Sequence, residues 1–254
     1  MLSVGKDILY KILNELNDRD LVKMFRVNHE CNQLYNNQRF WLNRVVTKFP
    51  GVPMEILRSH KKNLSWSDYY INDLRKINPN NANKILSNGA RYGRLDWVII
   101  ALNNGANING DEGYPLIYAS YGGYLHIVKY LTEHGADIHA VDDLALMRAI
   151  GKCHYNVVKY LIEHGANIHA SNSFGIMLAS QTGNLNIVKY LVNQGADIHA
   201  QDNSAIAMAS DEGRLDVVKY LVEQGADIHA GNDRAIIWAQ RKNHWKVVNY
   251  LENL

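Results

Sequence analysis

Two kinds of apolar stripe alternate along most of the chain. The narrower carries Leu116, Ala119 and Ser120 in one place and Ile206, Ala209 and Ser210 in another, apolar or small groups at the i, i+3 spacing of a buried helical face. The broader, as in Leu215, Val217, Val218, Leu221 and Val222, predicts a second helix with a wider buried side. Gly93, Gly123, Gly183, Gly213 and Asn243 follow the narrow stripes, residue types suited to the left-handed conformation that ends a helix. Cys153 stands at that place in one copy and predicts local backbone strain. The unit reads helix, turn, helix, loop.

The units keep a fixed period. Gly-Ala recurs at Gly105, Gly135, Gly165, Gly195 and Gly225, a spacing of 30, and Val-Lys-Tyr-Leu returns at 128–131, 158–161, 188–191 and 218–221. Segments 171–200 and 201–230 agree at 17 of 30 positions. One helix pair of this size cannot bury its apolar face alone, so the copies are expected to stack into a solenoid with a shared core. Where inner copies carry Lys129, Lys159, Lys189 and Lys219, the first carries Ile99, followed by Ile100 where the others have Tyr. That apolar patch calls for a cover, and residues 53–77 are expected to supply it. Glu252 replaces the apolar Ile162, Val192 and Val222 of inner copies, which suits an array expected to stop at Leu254.

Before the array the pattern changes. Ile8, Leu9, Ile12, Leu13 and Leu16, then Leu21, Met24, Phe25 and Val27, predict a helical hairpin, and Leu34, Phe40, Trp41 and Val45 a third helix closing over it. So small a core gains stability by docking on something else.

The repeats resemble the ankyrin family. The likeness runs through Tyr114-Pro115-Leu116-Ile117-Tyr118-Ala119, which looks like that family's Thr-Pro-Leu-His-x-Ala helix opening, then Gly123, Val128 to Leu131, and Gly135-Ala136-Asp137-Ile138. The family period is usually about 33, and the three missing residues fall in the hairpin finger, so short fingers are expected. Copies of this length, rich in Asn, Ile and Tyr, resemble the ankyrin proteins of giant DNA viruses of the mimivirus type. The fold class expected is all-α: an ankyrin-type solenoid of about six repeats with short hairpin loops, preceded by a small three-helix domain.

That small domain resembles the F-box, through Val4-Gly5-Lys6-Asp7-Ile8-Leu9, Ile12-Leu13, Leu16, Asp20-Leu21, Val27-Asn28 and Phe40-Trp41. Gly5 stands where the family has Pro, and Asn28 where it has Cys. The resemblance implies a substrate receptor of a cullin-type ubiquitin ligase, with an Skp-type adaptor docked on Val4, Ile8, Leu9, Ile12, Leu16, Leu21 and Val27. The alternative is an ankyrin binding or masking protein with no link to ubiquitin ligases. The domains expected are 1–50 (F-box-like), 51–80 (a helical linker capping the array) and 81–254, cut into 81–110, 111–140, 141–170, 171–200, 201–230 and 231–254. Ankyrin proteins hold targets on the concave face, and the positions there that differ among the copies are Tyr114, Tyr118, Tyr121, Arg148, Lys152, Phe174, Gln181, Asp211, Glu212, Trp238, Arg241 and Lys242. They predict a target-binding groove for an unknown protein, running from aromatic through acidic to basic.

Composition and charge narrow the picture. Apolar residues form 47% of the 254 and the formal net charge is only +2, which fits a folded protein without a global pull toward nucleic acid or anionic lipid. The charge is uneven: residues 1–80 hold 13 basic and 8 acidic groups, while 81–254 hold 14 and 17. No apolar run approaches a membrane span, the start lacks a signal core, and Cys31 and Cys153 are the only cysteines. A cytoplasmic monomer follows as the expectation, in the host cytoplasm if viral, with no cofactor and neither nucleic acid nor membrane as partner. His139, His169, His199 and His229 recur once per copy, too far apart to share one zinc ion, and are assigned to hydrogen bonding in the loops or between repeats. His29-Glu30 lacks the second His of a metalloprotease helix, and Gly151-Lys152-Cys153-His154 lacks a phosphate loop's glycine pattern. No catalytic constellation emerges, so the chain is read as a non-enzyme.

Overall fold

The computed structural model describes residues 16, 20–21, 36–74, 77 and 79–254, and among them no strand occurs. The chain divides into two compact units, residues 1–89 with 94–107 and residues 90–93 with 108–254. The N-terminal hairpin expected from Ile8 to Val27 lies outside the described residues except for Leu16, Asp20 and Leu21.

In the first unit, α1 (Gln38–Lys48), α2 (Met54–Lys61) and α3 (Trp66–Asn72) precede α4 (Ala82–Tyr92), which runs on into the second unit, and α5 (Leu95–Asn103). Asn37 starts α1 by accepting hydrogen bonds from the Arg39 and Phe40 N–H groups at 3.0 and 3.2 Å, and Ser65 starts α3 by accepting from the Asp68 N–H at 3.0 Å. Phe40, Trp41 and Val45 of α1 are fully buried, and the Trp41 ring lies 5.4 Å from that of Tyr70 on α3. Ile99 and Ile100 are buried on α5, and α2 packs against that helix.

A charged cluster sits inside this unit. Asp96 is 0% exposed. It accepts hydrogen bonds from Arg94 Nε at 2.9 Å and Nη2 at 2.7 Å, and from the Tyr69 hydroxyl at 2.5 Å. Arg94 also reaches Asp73 at 3.3 Å, and His60 Nε2 lies 3.7 Å from Asp96. Burial, reinforced by the Asp96 charge, pushes the Tyr69 phenol far above its ordinary value. Burial opposes the charge on Arg94, but the hydrogen bonds and charge of Asp96 outweigh it and hold the guanidinium above the usual arginine range. A buried carboxylate satisfied on both oxygens fixes α3 and α5 in one register, where apolar packing alone would allow sliding.

The second unit stacks helix pairs: α6 (Tyr114–Tyr121) with α7 (Leu125–Glu133), α8 (Ala140–Gly151) with α9 (Tyr155–Glu163), α10 (Ala170–Thr182) with α11 (Leu185–Asn193), α12 (Ala200–Asp211) with α13 (Leu215–Glu223), and α14 (Ala230–Arg241) with α15 (Trp245–Glu252). First helices pack on first helices and second on second. The narrow stripe is buried, with Leu116, Ala119, Ser120, Ile206, Ala209 and Ser210 all 0–1% exposed. The small Ala and Ser let neighbouring helices approach.

The finger is not a shortened hairpin. With three residues fewer there is no length for two extended arms, and the chain reverses through successive left-handed residues instead: φ is 53, 56 and 57° at Val141, Asp142 and Asp143, and 50, 60 and 54° at Gln201, Asp202 and Asn203. Asn and Asp tolerate this conformation best, and they or Gly fill many of these places. Val141 does not fit that rule, and it is 46% exposed, so its branched side chain meets water rather than a neighbour. The strain is offset by bonds that tie these turns to the chain leading into the next turn. The Asn167 N–H donates to Asp143 Oδ1 at 2.9 Å and the Asp227 N–H to Asn203 Oδ1 at 3.0 Å. Asp142 accepts from both the N–H and the hydroxyl of Ser171 at 2.8 and 2.7 Å.

The repeated histidines serve the same turns. His139, His199 and His229 direct Nδ1 at Asp143, Asn203 and Asp233 at 3.2, 3.0 and 2.6 Å, and Ser173 lies 3.5 Å from His169. Among the described residues no group of His, Cys, Asp and Glu is arranged to hold a metal ion.

Candidate binding face

Two further sets of contacts link neighbouring copies and explain the repeated phrase and the repeated glycine. On the second helices, Lys129 lies over the Tyr160 ring at 5.6 Å, Lys189 over Tyr220 at 5.5 Å and Lys219 over Tyr250 at 5.5 Å, each lysine resting on the tyrosine of the next copy. Lys159 pairs within its own helix, with Glu163 at 3.7 Å. Val-Lys-Tyr-Leu is therefore a ladder, its Val and Leu facing in and its Lys and Tyr meeting along the outside.

At the end of the first helices, a side chain of three of the copies reaches back to cap the previous one. His154 Nε2 lies 3.0 Å from the Tyr121 carbonyl, Arg214 Nε donates to that of Gln181 at 3.2 Å, and His244 Nε2 lies 3.0 Å from that of Asp211. These groups cross directly over the helix-ending glycines. A Cβ on Gly123 would sit 2.5 Å from the His154 ring, on Gly183 2.5 Å from Arg214, and on Gly213 2.6 Å from the His244 ring. Cys153, with φ 60°, and Asn243, also at φ 60°, stand where the other copies have Gly; the residue that follows Cys153 in register is the short Asn184, whose Oδ1 turns to its own helix and accepts from the Ile187 N–H at 3.1 Å. A side chain is accommodated where the next copy offers none to collide with.

What remains on the outward side of the first helices is the candidate binding face. Tyr114, Tyr118 and Tyr121 lie along α6 at i, i+4 and i+7, Arg148 and Lys152 along and just beyond α8, and Phe174 and Gln181 on α10. Asp211 and Glu212 close α12, and Trp238, Arg241 and Lys242 lie on and beyond α14. All twelve are half-buried or exposed, with Tyr121 at 47% and Phe174 at 37%.

Several are already engaged with neighbouring copies. Lys242 bonds Asp211 at 2.7 Å and Glu212 at 3.1 Å, and Arg241 approaches Asp211 at 3.5 Å. The hydrogen bonds to Asp211 and then Glu212 hold the Lys242 ammonium above the usual lysine range. The acidic and basic stretches read from the sequence thus meet each other there. At the other end, Tyr114 and Tyr118 pack at 5.4 Å, and Lys152 stands 4.8 Å over the Tyr121 ring. Arg91, which the copy-to-copy comparison passed over, lies 4.1 Å over the Tyr118 ring. Its signal was available: it precedes Tyr121 by one period, in a copy read only as a cap.

The adaptor-docking candidates belong to the first unit. Val4, Ile8, Leu9, Ile12 and Val27 lie outside the described residues. Leu16 is half-buried and its carbonyl accepts from Arg44 Nη2 at 2.7 Å, while Leu21 is 1% exposed and packs within its unit.

Among the described residues, no helix is long and apolar enough to cross a membrane. No curated protein matches the chain. The family described as ankyrin repeats (three copies) matches residues 62–142, 86–172 and 176–253. With matches spread over more than half of its length, the chain belongs to the ankyrin-repeat family, whose members are generally non-enzymatic protein-binding modules.

Proposed function

We propose that the chain is an adaptor that holds a target protein on the first-helix face of its ankyrin array and brings it to a cullin-type ubiquitin ligase. The observation that carries the target-binding half is the contrast between a constant frame and a changing face: Val-Lys-Tyr-Leu recurs unaltered in the four inner copies and Gly-Ala in five, while aromatic and cationic groups of the kind that anchor interfaces gather on one side of the first helices. The ligase half rests on the F-box resemblance of residues 4–41. In this reading residues 1–50 dock an Skp-type adaptor, 51–80 cap the array and 81–254 read the target. The protein works in the cytoplasm, the host's if the likeness to giant-virus ankyrin proteins reflects its origin.

Ubiquitin transfer would take place elsewhere in such a complex, so positioning is the function and no catalytic group is required of this chain. The test is a pull-down of the full chain with a purified Skp-type adaptor. Binding is expected, with a loss of about tenfold or more for Ile8→Asp combined with Leu9→Asp, since two apolar side chains of the proposed docking set would become charges without partners there. No binding by the intact chain, or unchanged binding by a folded double variant, removes the ligase half and leaves the target-binding reading standing.

A further inference from the structure

The same register position is treated in opposite ways at the two ends of the second unit. Lys242 stands opposite Asp211 and Glu212 of the preceding copy, which neutralise it. Lys152, three periods earlier, stands opposite Tyr121 and Gly122, and receives an aromatic face in place of a carboxylate. A cation over a ring keeps its charge and its outward N–H donors while the ring holds the side chain in place. Arg91 is held in the same way over Tyr118. Arg148 lies one helical turn from Lys152 on the same side of α8 and is exposed. Among the described residues none of these three cations has an ion pair. The residues of α6 and of α8 beyond its turn, 114–121 and 144–151, contain no Asp or Glu.

Resting on the protein-binding reading above, we infer that Arg91, Tyr118, Tyr121, Arg148 and Lys152 form a docking patch for an acidic peptide segment, one carrying at least two Asp or Glu carboxylates. The argument is charge complementarity. Three cations on one surface repel one another until an anion arrives, and two of them are held by tyrosine rings, so little side-chain freedom is lost on binding. Tyrosine hydroxyls beside them offer further donors and a flat apolar floor. The acidic residues of the left-handed turns, Asp111, Glu112, Asp142 and Asp143, lie at the opposite end of these helices. At 1.5 Å per residue, Lys152 is about 12 Å along the axis from Leu144, beyond a Debye length of about 8 Å at physiological salt. The corresponding cations at the far end, Arg241 and Lys242, are already paired, so the patch is confined to the early copies.

The test is a fluorescence-anisotropy titration of the full chain with fluorescein-labelled octaglutamate, and octaglutamine as control, in about 150 mM sodium chloride, where the Debye length is about 8 Å. Saturable binding of octaglutamate alone is expected, weakened about tenfold or more by Arg148→Glu with Lys152→Glu and unchanged by Lys242→Gln. Tyr121→Asp is the second variant: it gives Lys152 the internal partner that Lys242 has, and is expected to abolish octaglutamate binding without lowering the melting temperature. No binding, equal binding of octaglutamine, or indifference to both variants overturns the patch. So does a single-stranded oligonucleotide that displaces octaglutamate and binds about tenfold more tightly, since the patch would then be a phosphate-backbone site. A chain that holds a protein partner on its first-helix face yet ignores octaglutamate keeps the binding reading and loses this one.

Discussion

Gly213→Ala is expected to cost about 1.5–3.5 kcal/mol of stability, the sum of a left-handed Ala at about 1–2 and a weakened cap at about 0.5–1.5. Gly213 has φ 66°, and the added methyl would lie 2.6 Å from the His244 ring. The ring would have to swing away, giving up its contact with the Asp211 carbonyl at 3.0 Å. For a protein of this size the melting temperature should fall by about 5–10 °C. The check is calorimetric melting of the variant beside Gly225→Ala. That second glycine has φ 91° and nothing within 4 Å of an added Cβ, so it carries backbone strain alone. A smaller loss at Gly225 than at Gly213 isolates the contribution of the ring; equal losses would mean that strain explains everything.

Asp96→Ala is expected to cost about 3 kcal/mol, at the lower end of what removing one partner of a buried ion pair does, because Arg94 keeps Asp73 at 3.3 Å. The variant leaves the guanidinium and the Tyr69 hydroxyl without their common acceptor. Asp96→Asn combined with Arg94→Gln keeps a hydrogen-bonding group at both positions and removes both charges, and should recover part of the loss, since a buried pair contributes little beyond its own desolvation cost. Urea unfolding followed by tryptophan fluorescence checks this in a Trp238→Phe, Trp245→Phe background, where the remaining Trp41, Trp66 and Trp97 all lie in the first unit. If Asp96→Ala costs less than about 1 kcal/mol, the cluster behaves as an exposed pair and does not fix the helices.

The frame was legible in the sequence because periodicity reports packing directly. A 30-residue spacing of Gly-Ala and two apolar stripes leave little choice but stacked helix pairs, and the positive φ at Cys153 follows from its place among the glycines. The turns were less legible. The missing residues showed that the finger had to shorten, but nothing in Val141-Asp142-Asp143 announces successive left-handed residues, and Val is among the poorest candidates for one. The charged cluster could not be read, because Tyr69 and Asp96 are 27 positions apart and neither belongs to a motif.

For the binding face the limit was pairing. The sequence identifies which positions vary among copies, but variation has two causes. Asp211 and Lys242 vary together because they bond to each other, whereas Tyr121 and Lys152 vary and leave a charge open to a partner. Only the positions of neighbouring copies separate the two cases. Gly123 and His154 show the same logic in the frame: each residue makes sense beside the other, and neither does alone.

The claim on which the rest depends is that copies meet in a fixed register, side chain against helix end, and the most direct test is a double-mutant cycle on Cys153→Gly and Asn184→His. Alone, Asn184→His should destabilise, because the new ring meets the Cys153 Cβ. With Gly at 153 it can take the place that His154 and His244 occupy in their copies and reach the carbonyl of Gly151. A favourable coupling energy of about 1–2 kcal/mol is predicted; additive effects, with no coupling beyond about 0.5 kcal/mol, would contradict the register.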